Sequence, residues 1–398
     1  MNAGLSINNR AIFFLMAGYI WVLPVEGTVA ARNTFFLLLV AAFVFFHSKP
    51  KERLYFPLIK QWTLYASIAL FSINSALNPA YSLGEIKTEI LIPLILFFLA
   101  ANLIKSENDW RKFMGLIIIG NFVLVALSII YNFTGEATKD GLTATINTGV
   151  GKYSTYMILV MPLMIGSIAL ERKRIFLALG IAALVLAGIA SIYLTFNRQS
   201  FVTLIVELSV AATILFLMPA YRRYWPWCLG GSALLMSLFY FQYATKNPLA
   251  AQNLLWEIQS DVRWLTWTEV INHIKKNLMI GSGFGLRSFA FAFPDLAANS
   301  PFWHGHNLFI NKAVQMGIPG LVIFIILIGS VFFKIIKGLK GSESIKIIAL
   351  AGAAMIVGMV TKNMTDDFFY RETGYLFWLL TGAVIGVVQH QGLCTRTS

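Results

Sequence analysis

The sequence contains little charge, few cysteines and few histidines. Charged residues make up 12% of the 398 residues, about half of the roughly 25% that is usual in a soluble domain. The two cysteines, Cys228 and Cys394, have neither the spacing of a metal site nor that of a disulfide framework. These shortages argue against a soluble globular protein, a cysteine-based metal centre and a structural disulfide.

Apolar sequence takes up most of the chain. The hydrophobic content is 58% and the mean hydropathy is +0.71, as is typical of a polytopic membrane protein. Runs long enough to cross a bilayer cover roughly residues 11–29, 33–48, 57–77, 88–104, 113–132, 152–170, 175–196, 200–219, 226–243, 319–337, 346–363 and 373–389.

These runs predict an all-α integral membrane protein with about twelve transmembrane helices and one long outward loop that contains short helices. The first nine helices would occupy residues 1–243. The loop, together with an interfacial helix, would occupy residues 244–318. The last three helices and a short tail would occupy residues 319–398.

The surplus of basic residues fits a membrane orientation better than a nucleic-acid partner. The net charge is +13, but no soluble segment carries a basic stripe with spaced aromatic residues. With the N-terminus inside, every inside connection carries a basic cluster, as the positive-inside rule requires. We therefore expect both termini in the cytoplasm, the long loop outside, membrane lipids as neighbours and no nucleic acid as a partner.

Two arginines stand where a positive charge needs a partner. Arg198 lies in a tight turn between two apolar runs at the predicted outer face. It could reach lipid phosphates or form a fork for a substrate phosphate. Arg263 lies on the apolar face of a helix that Ser260 or Asp261 can cap, in the first turn, where the helix dipole favours anions. A phosphate would satisfy Arg263, and an internal carboxylate is the alternative.

His304 and His306 are the only close pair among the five histidines, and they lie where a polar loop meets an apolar run. His306 would stand at the start of a short amphipathic helix that ends at the break 317–320. Imidazole titrates near neutral pH, so His306 could serve as a general base, whereas capping of the helix is the structural alternative. Metal ligation is a third role, but no carboxylate or cysteine is close in sequence, and we predict no metal.

Other polar residues flank the histidines in the predicted fold. The short helix, which we expect near the membrane surface, carries a polar stripe at four-residue spacing, formed by Asn307, Asn311 and Gln315. In the last outward turn, Asp366, Asp367 and Arg371 belong to a cluster that is mainly solvated or internally paired, although one aspartate could orient a histidine or pair with an essential arginine. The glycine-rich segment 281–285 predicts a helix stop and close backbone packing rather than a nucleotide site.

Three segments taken together resemble the signature of the O-antigen ligase and O-antigen polymerase superfamily. They are the pair His306-Asn307 followed after nine residues by Gly317 and Gly320, the segment 263–285 that begins Arg-Trp-x-x-Trp, and the turn 197–200 around Arg198. The twelve-helix layout with one long outward loop extends the resemblance to the whole chain.

The resemblance implies an enzyme of the bacterial inner membrane with a periplasmic active site. Such an enzyme transfers a glycan from an undecaprenyl-pyrophosphate carrier to a hydroxyl group, without a metal or nucleotide cofactor. The acceptor is a lipid A-core sugar in the ligases, another carrier-linked glycan in the polymerases, and a serine or threonine in the protein O-oligosaccharyltransferases. The modest loop and short tail of this chain favour a ligase of lipopolysaccharide biosynthesis.

In that chemistry each candidate residue has an expected role. Arg198 and Arg263 would bind the pyrophosphate, and His306 would take the proton of the acceptor hydroxyl. Support would come from His304, Asn307, Asp366, Asp367 and Arg371. The alternative of another class is a polytopic lipid or solute transporter, which would carry ionisable groups near the middle of the membrane. The notable charges of this sequence gather instead at the predicted outer face.

Overall fold

The computed structural model describes residues 7–25, 27–47, 54–134, 149–246, 261–276, 278–299 and 304–394, and within these ranges the regular structure is helical, with no strand. The helices before the long loop are α1 (Ile7–Val22), α2 (Val29–His47), α3 (Ile59–Phe71), α4 (Pro79–Leu103), α5 (Glu107–Phe133), α6 (Val150–Leu170), α7 (Ile175–Leu194), α8 (Arg198–Leu217) and α9 (Trp225–Lys246). The loop contributes α10 (Val262–Lys276), α11 (Ser288–Ala292) and α12 (Pro294–Asn299). They are followed by α13 (Leu308–Ile336), α14 (Glu343–Lys362) and α15 (Arg371–Cys394).

Each of the predicted apolar runs falls on one of these helices. Nine of the described helices are long and apolar enough to cross a membrane, and shorter apolar helices such as α1 accompany them. The predicted fold class, an all-α integral membrane protein, is therefore confirmed.

Two predicted helix starts, at residues 88 and 113, are too late because polar caps begin these helices earlier. Asn78 accepts a hydrogen bond from the backbone N–H of Tyr81, and Pro79 occupies the first position of α4. Ser106 and Asp109 form a capping box that starts α5. A hydropathy pattern misses such starts, because the first turns of both helices are partly polar.

The last helix, α15, lies at the centre of the bundle. Within its span Arg371–His390, 89% of an 18-residue window is buried. Glycines on this helix allow it to approach α4 closely. A Cβ atom on Gly382 would lie 2.3 Å from the carbonyl oxygen of Phe97, and one on Gly386 would lie 2.5 Å from that of Ile104. The two helices thus pack backbone against backbone, a packing mode that small residues permit in membrane proteins.

The helix α13 is broken where the sequence predicts a break. Gly317 has φ 70° and ψ −177°, which is not helical, and Pro319 follows it. The short segment before Gly317 and the long apolar segment after it are therefore two helical pieces joined at a kink. The kink allows the first piece, which follows the histidines, to take a direction different from that of the long apolar piece.

The two ends of the bundle differ in chemistry. At one end Arg111 pairs with Glu171, and Arg172 pairs with Glu343 at 3.2 Å. At the other end the α7–α8 turn, the start of α13 and residues 363–370 between α14 and α15 meet. We call these last residues the α14–α15 turn. The predicted site residues lie at this second end, which we call the histidine end.

Candidate functional site

The separate motif segments meet beside the end of α14, which leads into the α14–α15 turn. The start of α13 is attached to it by two hydrogen bonds. The backbone N–H of Leu308 donates to the carbonyl oxygen of Asn363 at 2.9 Å, and the Asn307 side-chain amide donates to the carbonyl oxygen of Met364 at 2.7 Å. The Asn307 side chain also caps α13. Asn307 therefore holds the histidine segment through both the nitrogen and the oxygen of its side-chain amide.

The turn that carries Arg198 is attached to the end of α14. Buried Lys362 donates from Nζ to Oδ1 of Asn197 at 3.1 Å, and Gln199 donates to the carbonyl oxygen of Thr361 at 2.8 Å. The guanidinium of Arg198 is exposed and lies 5.5 Å from the ring centre of Tyr243. The structure therefore anchors the turn at the histidine end and leaves the Arg198 side chain accessible there.

The helix that carries Arg263 is attached to the histidine loop. Trp267 of α10 donates from its indole Nε1 to the carbonyl oxygen of Gly305 at 2.7 Å. Asp261 caps α10 by accepting the backbone N–H of Arg263 at 2.9 Å, and its carboxylate lies 3.6 Å from the Arg263 guanidinium. Ser260, the other predicted cap, lies outside the described residues. Arg263 thus has an internal carboxylate near it, which was the predicted alternative to a phosphate. The distance between the two groups is long and both side chains are more than a third exposed, so the ion pair is weak.

His304 and His306 stack on each other and share one carboxylate. Their ring centres are 4.0 Å apart. Nδ1 of His306 lies 3.2 Å from Oδ1 of Asp366, and Nε2 of His304 lies 3.9 Å from the same oxygen. The backbone of His306 has φ 44°, a left-handed conformation that costs a non-glycine residue about 1–2 kcal/mol. The fold holds His306 in this conformation, and its ring then faces Asp366.

The environment shifts the pKa values of the two neighbouring aspartates in opposite directions. Burial acts to raise the pKa of Asp366, but the hydrogen bond from His306 and nearby positive charges outweigh it and lower that pKa. Burial raises the pKa of Asp367. Burial, His306 and Arg263 together lower the pKa of His304 to about 3, against the opposing effect of Asp366. His304 is therefore neutral at physiological pH, and Asp366 is the ionised partner of the histidines.

The two histidines and Asp366 could also be considered as metal ligands. Their candidate ligand atoms all lie within 4.8 Å of one another, and they form the one such cluster within the described ranges. However, Nδ1 of His304 accepts the backbone N–H of His306 at 3.1 Å. This assigns the ring proton of neutral His304 to Nε2, the atom that faces Asp366. In this arrangement the Nε2–H group of His304 faces the carboxylate at 3.9 Å, so metal ligation through Nε2 would require another tautomer.

Two residues of the predicted polar stripe, Asn311 and Gln315, are buried in the protein, whereas Asn307 is partly exposed. Asn311 accepts the backbone N–H of Gly305 at 2.9 Å and donates to Asp367 at 2.7 Å. Lys312 lies next to it and donates to Gln315 and Glu89, both at 3.1 Å. The stripe turns inward because a carboxylate from another element meets it there, which spacing alone does not reveal. Asp367 thus holds the histidine loop through Asn311.

The glycine-rich segment 281–285 packs against the kink of α13. The N–H of Ser282 donates to the carbonyl oxygen of Val314 at 2.7 Å, and the N–H of Gly283 donates to that of Gln315 at 3.1 Å. A Cβ atom on Gly317 would lie 2.8 Å from the carbonyl carbon of Met279. The close backbone packing predicted for this segment is therefore present, and it satisfies carbonyl groups that the kink frees.

Arg371 and Lys362 differ most from the sequence-based expectations. Arg371 pairs with Glu85 at 3.3 Å, and this ion pair does not involve the histidines or Asp366. Lys362 was not predicted as a site residue, yet it is buried and acts electrostatically on Asp366. A lysine at the outer end of an apolar run is as disfavoured as Arg198 is, and this signal could have identified it.

A helical wheel of residues 262–277 predicts an apolar face that includes Trp264, Val270, Ile271 and Ile274, with His273 solvated on the polar face. The ring of His273 instead packs edge-on against Phe293, with the ring centres 4.9 Å apart. On the opposite face, Val270 and Ile274 are buried as predicted, whereas Trp264 and Ile271 are exposed. A helical wheel does not show the packing partners that α11 and α12 supply to α10. These partners account for the differences.

The fold and the site together define a multi-pass membrane protein with histidines, arginines and carboxylates gathered at one end of its helix bundle. Residues 182–325 match the Wzy_C family model, described as O-Antigen ligase. The matched segment is about a third of the chain and contains Arg198, Arg263 and both histidines, but it ends before the α14–α15 turn. The match supports the O-antigen ligase and polymerase superfamily of membrane glycosyltransferase-like enzymes without separating its branches. The comparison with curated proteins gave no match.

Proposed function

We propose that the protein is a glycosyltransferase that moves O-antigen glycan from undecaprenyl pyrophosphate to a hydroxyl group of lipid A-core. The observation that carries this proposal is the contact of His306 with Asp366, at 3.2 Å, inside the segments that resemble the superfamily signature. A histidine oriented by an ionised carboxylate is a suitable base for a hydroxyl group. Neighbouring arginines suit a pyrophosphate leaving group.

In the proposed reaction, His306 removes the proton of the acceptor hydroxyl while its oxygen attacks the anomeric carbon of the glycan. The bond from that carbon to the carrier breaks, and undecaprenyl pyrophosphate leaves with the bonding electron pair. Arg198 and Arg263 bind this anion. Asp366 stabilises the protonated imidazole through Nδ1, so Nε2 is the atom that takes the proton.

The supporting residues act on the position of the base. His304 stacks on His306 and accepts its backbone N–H. Asn307 fixes the start of α13, and Asp367 holds Gly305 through Asn311. These contacts favour Asp366 as the carboxylate that orients the base and Asp367 as a positioning residue. For Arg371, pairing with Glu85 favours a role in holding the start of α15.

A groove for the carrier lipid begins beside the proposed base. An apolar cavity of about 290 Å³ lies between α13 and α14 and is lined, among others, by Leu308, Phe309, Phe324, Ile328 and Phe369. Leu308 and Phe309 follow the histidine loop directly. A polyprenyl chain could lie in this groove while its pyrophosphate remains at the histidine end. The basic clusters lie at the opposite end, so by the positive-inside rule we expect this site on the periplasmic side of the inner membrane and both termini in the cytoplasm.

The test is transfer by the purified protein from carrier-linked glycan to lipid A-core. His306→Ala should lower the rate about 10²–10⁴-fold, the usual contribution of a general base. His273→Ala is the matched control, because His273 packs on Phe293 away from the cluster. A wild-type rate in a folded His306→Ala protein would refute the assignment of the base. Arg263→Lys should also impair transfer, because the bidentate fork is lost.

The acceptor separates the branches of the superfamily. The same donor should be offered with lipid A-core, with further carrier-linked glycan, and with a serine- or threonine-containing protein. Product on lipid A-core supports a ligase. Product only on the carrier-linked glycan would identify a polymerase, and product only on the protein would identify a protein O-oligosaccharyltransferase.

A transporter remains the candidate of another class, and one observation favours it. Glu207 is buried in the middle of α8, and neither of its carboxyl oxygens has a hydrogen-bond partner among the described residues. The sequence argument that notable charges lie only at the outer face is therefore incomplete. Covalent transfer by the purified protein would exclude a pure transporter. Uptake of a solute into vesicles without any transferred glycan would favour one.

A further inference from the structure

A large cavity opens at the end of the bundle opposite the histidines. Its volume is about 640 Å³, and α6, α8, α9 and α14 enclose it. Most of its wall is apolar, formed by side chains such as Met161, Ile165, Leu204, Leu208 and Ile347. The cavity is separate from the proposed transfer site, which lies at the other ends of these helices. A ligand bound there would therefore act independently of the proposed function.

The depth of this cavity corresponds to one leaflet of a bilayer. Glu207 lines its inner part, and α8 ends ten residues later at Leu217. Ten helical residues rise about 15 Å, and half of a hydrocarbon core of about 30 Å is also about 15 Å. A hydrocarbon chain that enters from the leaflet at this end would therefore reach Glu207.

The mouth of the cavity carries two arginines, one glutamate and two phenol groups. It is lined by Arg172, Arg223, Glu343, Tyr221 and Tyr224. The Arg223 guanidinium donates to the Tyr224 hydroxyl at 2.6 Å. Arg172 pairs with Glu343 at 3.2 Å, but the side chains of this pair are 62% and 50% exposed, so the pair is weak and open to exchange. Basic pockets between transmembrane helices at the membrane boundary suit anionic lipid headgroups.

We propose that this cavity binds an anionic phospholipid, with one acyl chain between α6, α8, α9 and α14 and the phosphate between Arg172 and Arg223. The apolar wall and the charged mouth match the two parts of such a lipid. The phosphate can accept charge-assisted hydrogen bonds from both guanidinium groups. The tyrosines lie at the level of the lipid ester groups, as aromatic residues do at membrane boundaries.

Glu207 defines the competing occupant. Its carboxyl group is 3% exposed, and a Cβ atom on Gly358 would lie 1.7 Å from its Oε1, so α14 fixes its position. A carboxyl group in an apolar cavity could attract an amphiphile with an ammonium group. Two arginines at the mouth oppose the entry of a cation, which is why we choose the anionic lipid.

The experiment measures lipid retention by the purified full-length chain, using native mass spectrometry. The protein is reconstituted in phosphatidylcholine with added phosphatidylglycerol, and the molecules that remain bound are counted. The double variant Arg172→Gln, Arg223→Gln should bind phosphatidylglycerol about thirtyfold more weakly than the wild type. The control, Arg174→Gln with Arg222→Gln, removes the same charge from the same two turns without altering the cavity lining, and it should retain the lipid.

A second variant tests the position of the acyl chain. Ala211 lines the cavity, and Ala211→Phe should displace the retained lipid while the thermal midpoint of the protein stays close to that of the wild type. Full retention in Ala211→Phe would place the lipid elsewhere and overturn the proposal.

Three further outcomes would also overturn it. Equal losses in the two arginine pairs would mean that surface charge alone attracts the lipid. Equal retention of phosphatidylcholine and phosphatidylglycerol would mean that the mouth does not select an anion. Retention of a long-chain alkylammonium that Glu207→Gln abolishes, without retention of phosphatidylglycerol, would identify a cationic occupant.

Discussion

Replacing Asp366 by asparagine should impair transfer strongly while leaving the protein folded. The carboxylate oxygen lies 3.2 Å from Nδ1 of His306. At that distance two unit charges attract by about 5 kcal/mol if the effective dielectric constant is about 20. Water at this partly open site could halve the attraction. The expected loss of stabilisation for the protonated imidazole, about 2.5–5 kcal/mol, corresponds to a rate about 10²–10⁴-fold lower.

The assay is single-turnover transfer of carrier-linked glycan to lipid A-core, with enzyme in excess over donor. Two controls accompany Asp366→Asn. Glu269→Gln removes a charge from the exposed face of α10 and should leave the rate unchanged. Asp367→Asn removes the neighbouring charge, which bonds to Asn311 and not to a histidine, and should cost less than Asp366→Asn. A folded Asp366→Asn protein within threefold of the wild-type rate would show that the carboxylate does not assist His306.

Three further predictions concern the surroundings of the site. Lys362→Met removes the hydrogen-bond donor to Asn197, and a charged hydrogen bond is worth about 1.5–3 kcal/mol. The value of kcat/KM for the carrier-linked glycan should therefore fall about 10–100-fold. An unchanged value would mean that the Arg198 turn needs no anchor. Gly317→Ala should lower the thermal midpoint, because φ is 70° and the new Cβ would lie 2.8 Å from the Met279 backbone, which together cost at least about 1–2 kcal/mol. Its control, Gly329→Ala, has no atom within 4 Å and should stabilise the helix by up to about 1 kcal/mol. Because the pKa of His304 falls from 6.5 to about 3 on folding, the unfolded chain binds the extra proton in that range. Stability should therefore be complete above about pH 6.5 and decline toward pH 3 by up to about 1.4 kcal/mol per pH unit. His304→Asn should flatten that decline in thermal unfolding, and an unchanged slope would assign the decline to other groups.

The helices could be predicted because each depends on local sequence. Apolar runs of sufficient length located each described helix that is long and apolar enough to cross a membrane, and the pair Gly317 and Pro319 located the break in α13. Asp261 was one of two predicted caps for α10, and it accepts the Arg263 N–H. These features depend on residues that are neighbours in the chain, so a pattern in the sequence suffices to find them.

The partners of the site residues could not be predicted, because they come from distant segments. Asp366 follows His306 by sixty residues, and no periodicity connects an outward turn with a loop. The sequence therefore left open which of the two aspartates supports the base. Likewise, the polar stripe that contains Asn311 could face lipid headgroups or another part of the protein. Only the position of Asp367 in the fold shows which of the two Asn311 contacts.

Glu207 illustrates a different limit. A single carboxylate within an apolar run of α8 can face lipid, a neighbouring helix or a cavity. The sequence gives the depth of Glu207 in the membrane but not the direction in which its side chain points. The direction depends on Gly358 of α14, whose missing side chain leaves room for the carboxyl group.

The Arg198 turn and the start of α13 are both attached to the end of α14 and the α14–α15 turn, and this has a consequence for biosynthesis. Lys362 bonds to Asn197 across 165 positions, and the contact between Asn311 and Asp367 spans 56. A growing chain that has already inserted α8 and α13 still lacks the residues that draw them together. The proposed catalytic arrangement therefore cannot form until α14 and the residues after it have left the ribosome. A partly synthesised chain would be inserted in the membrane yet unable to consume its lipid-linked donor.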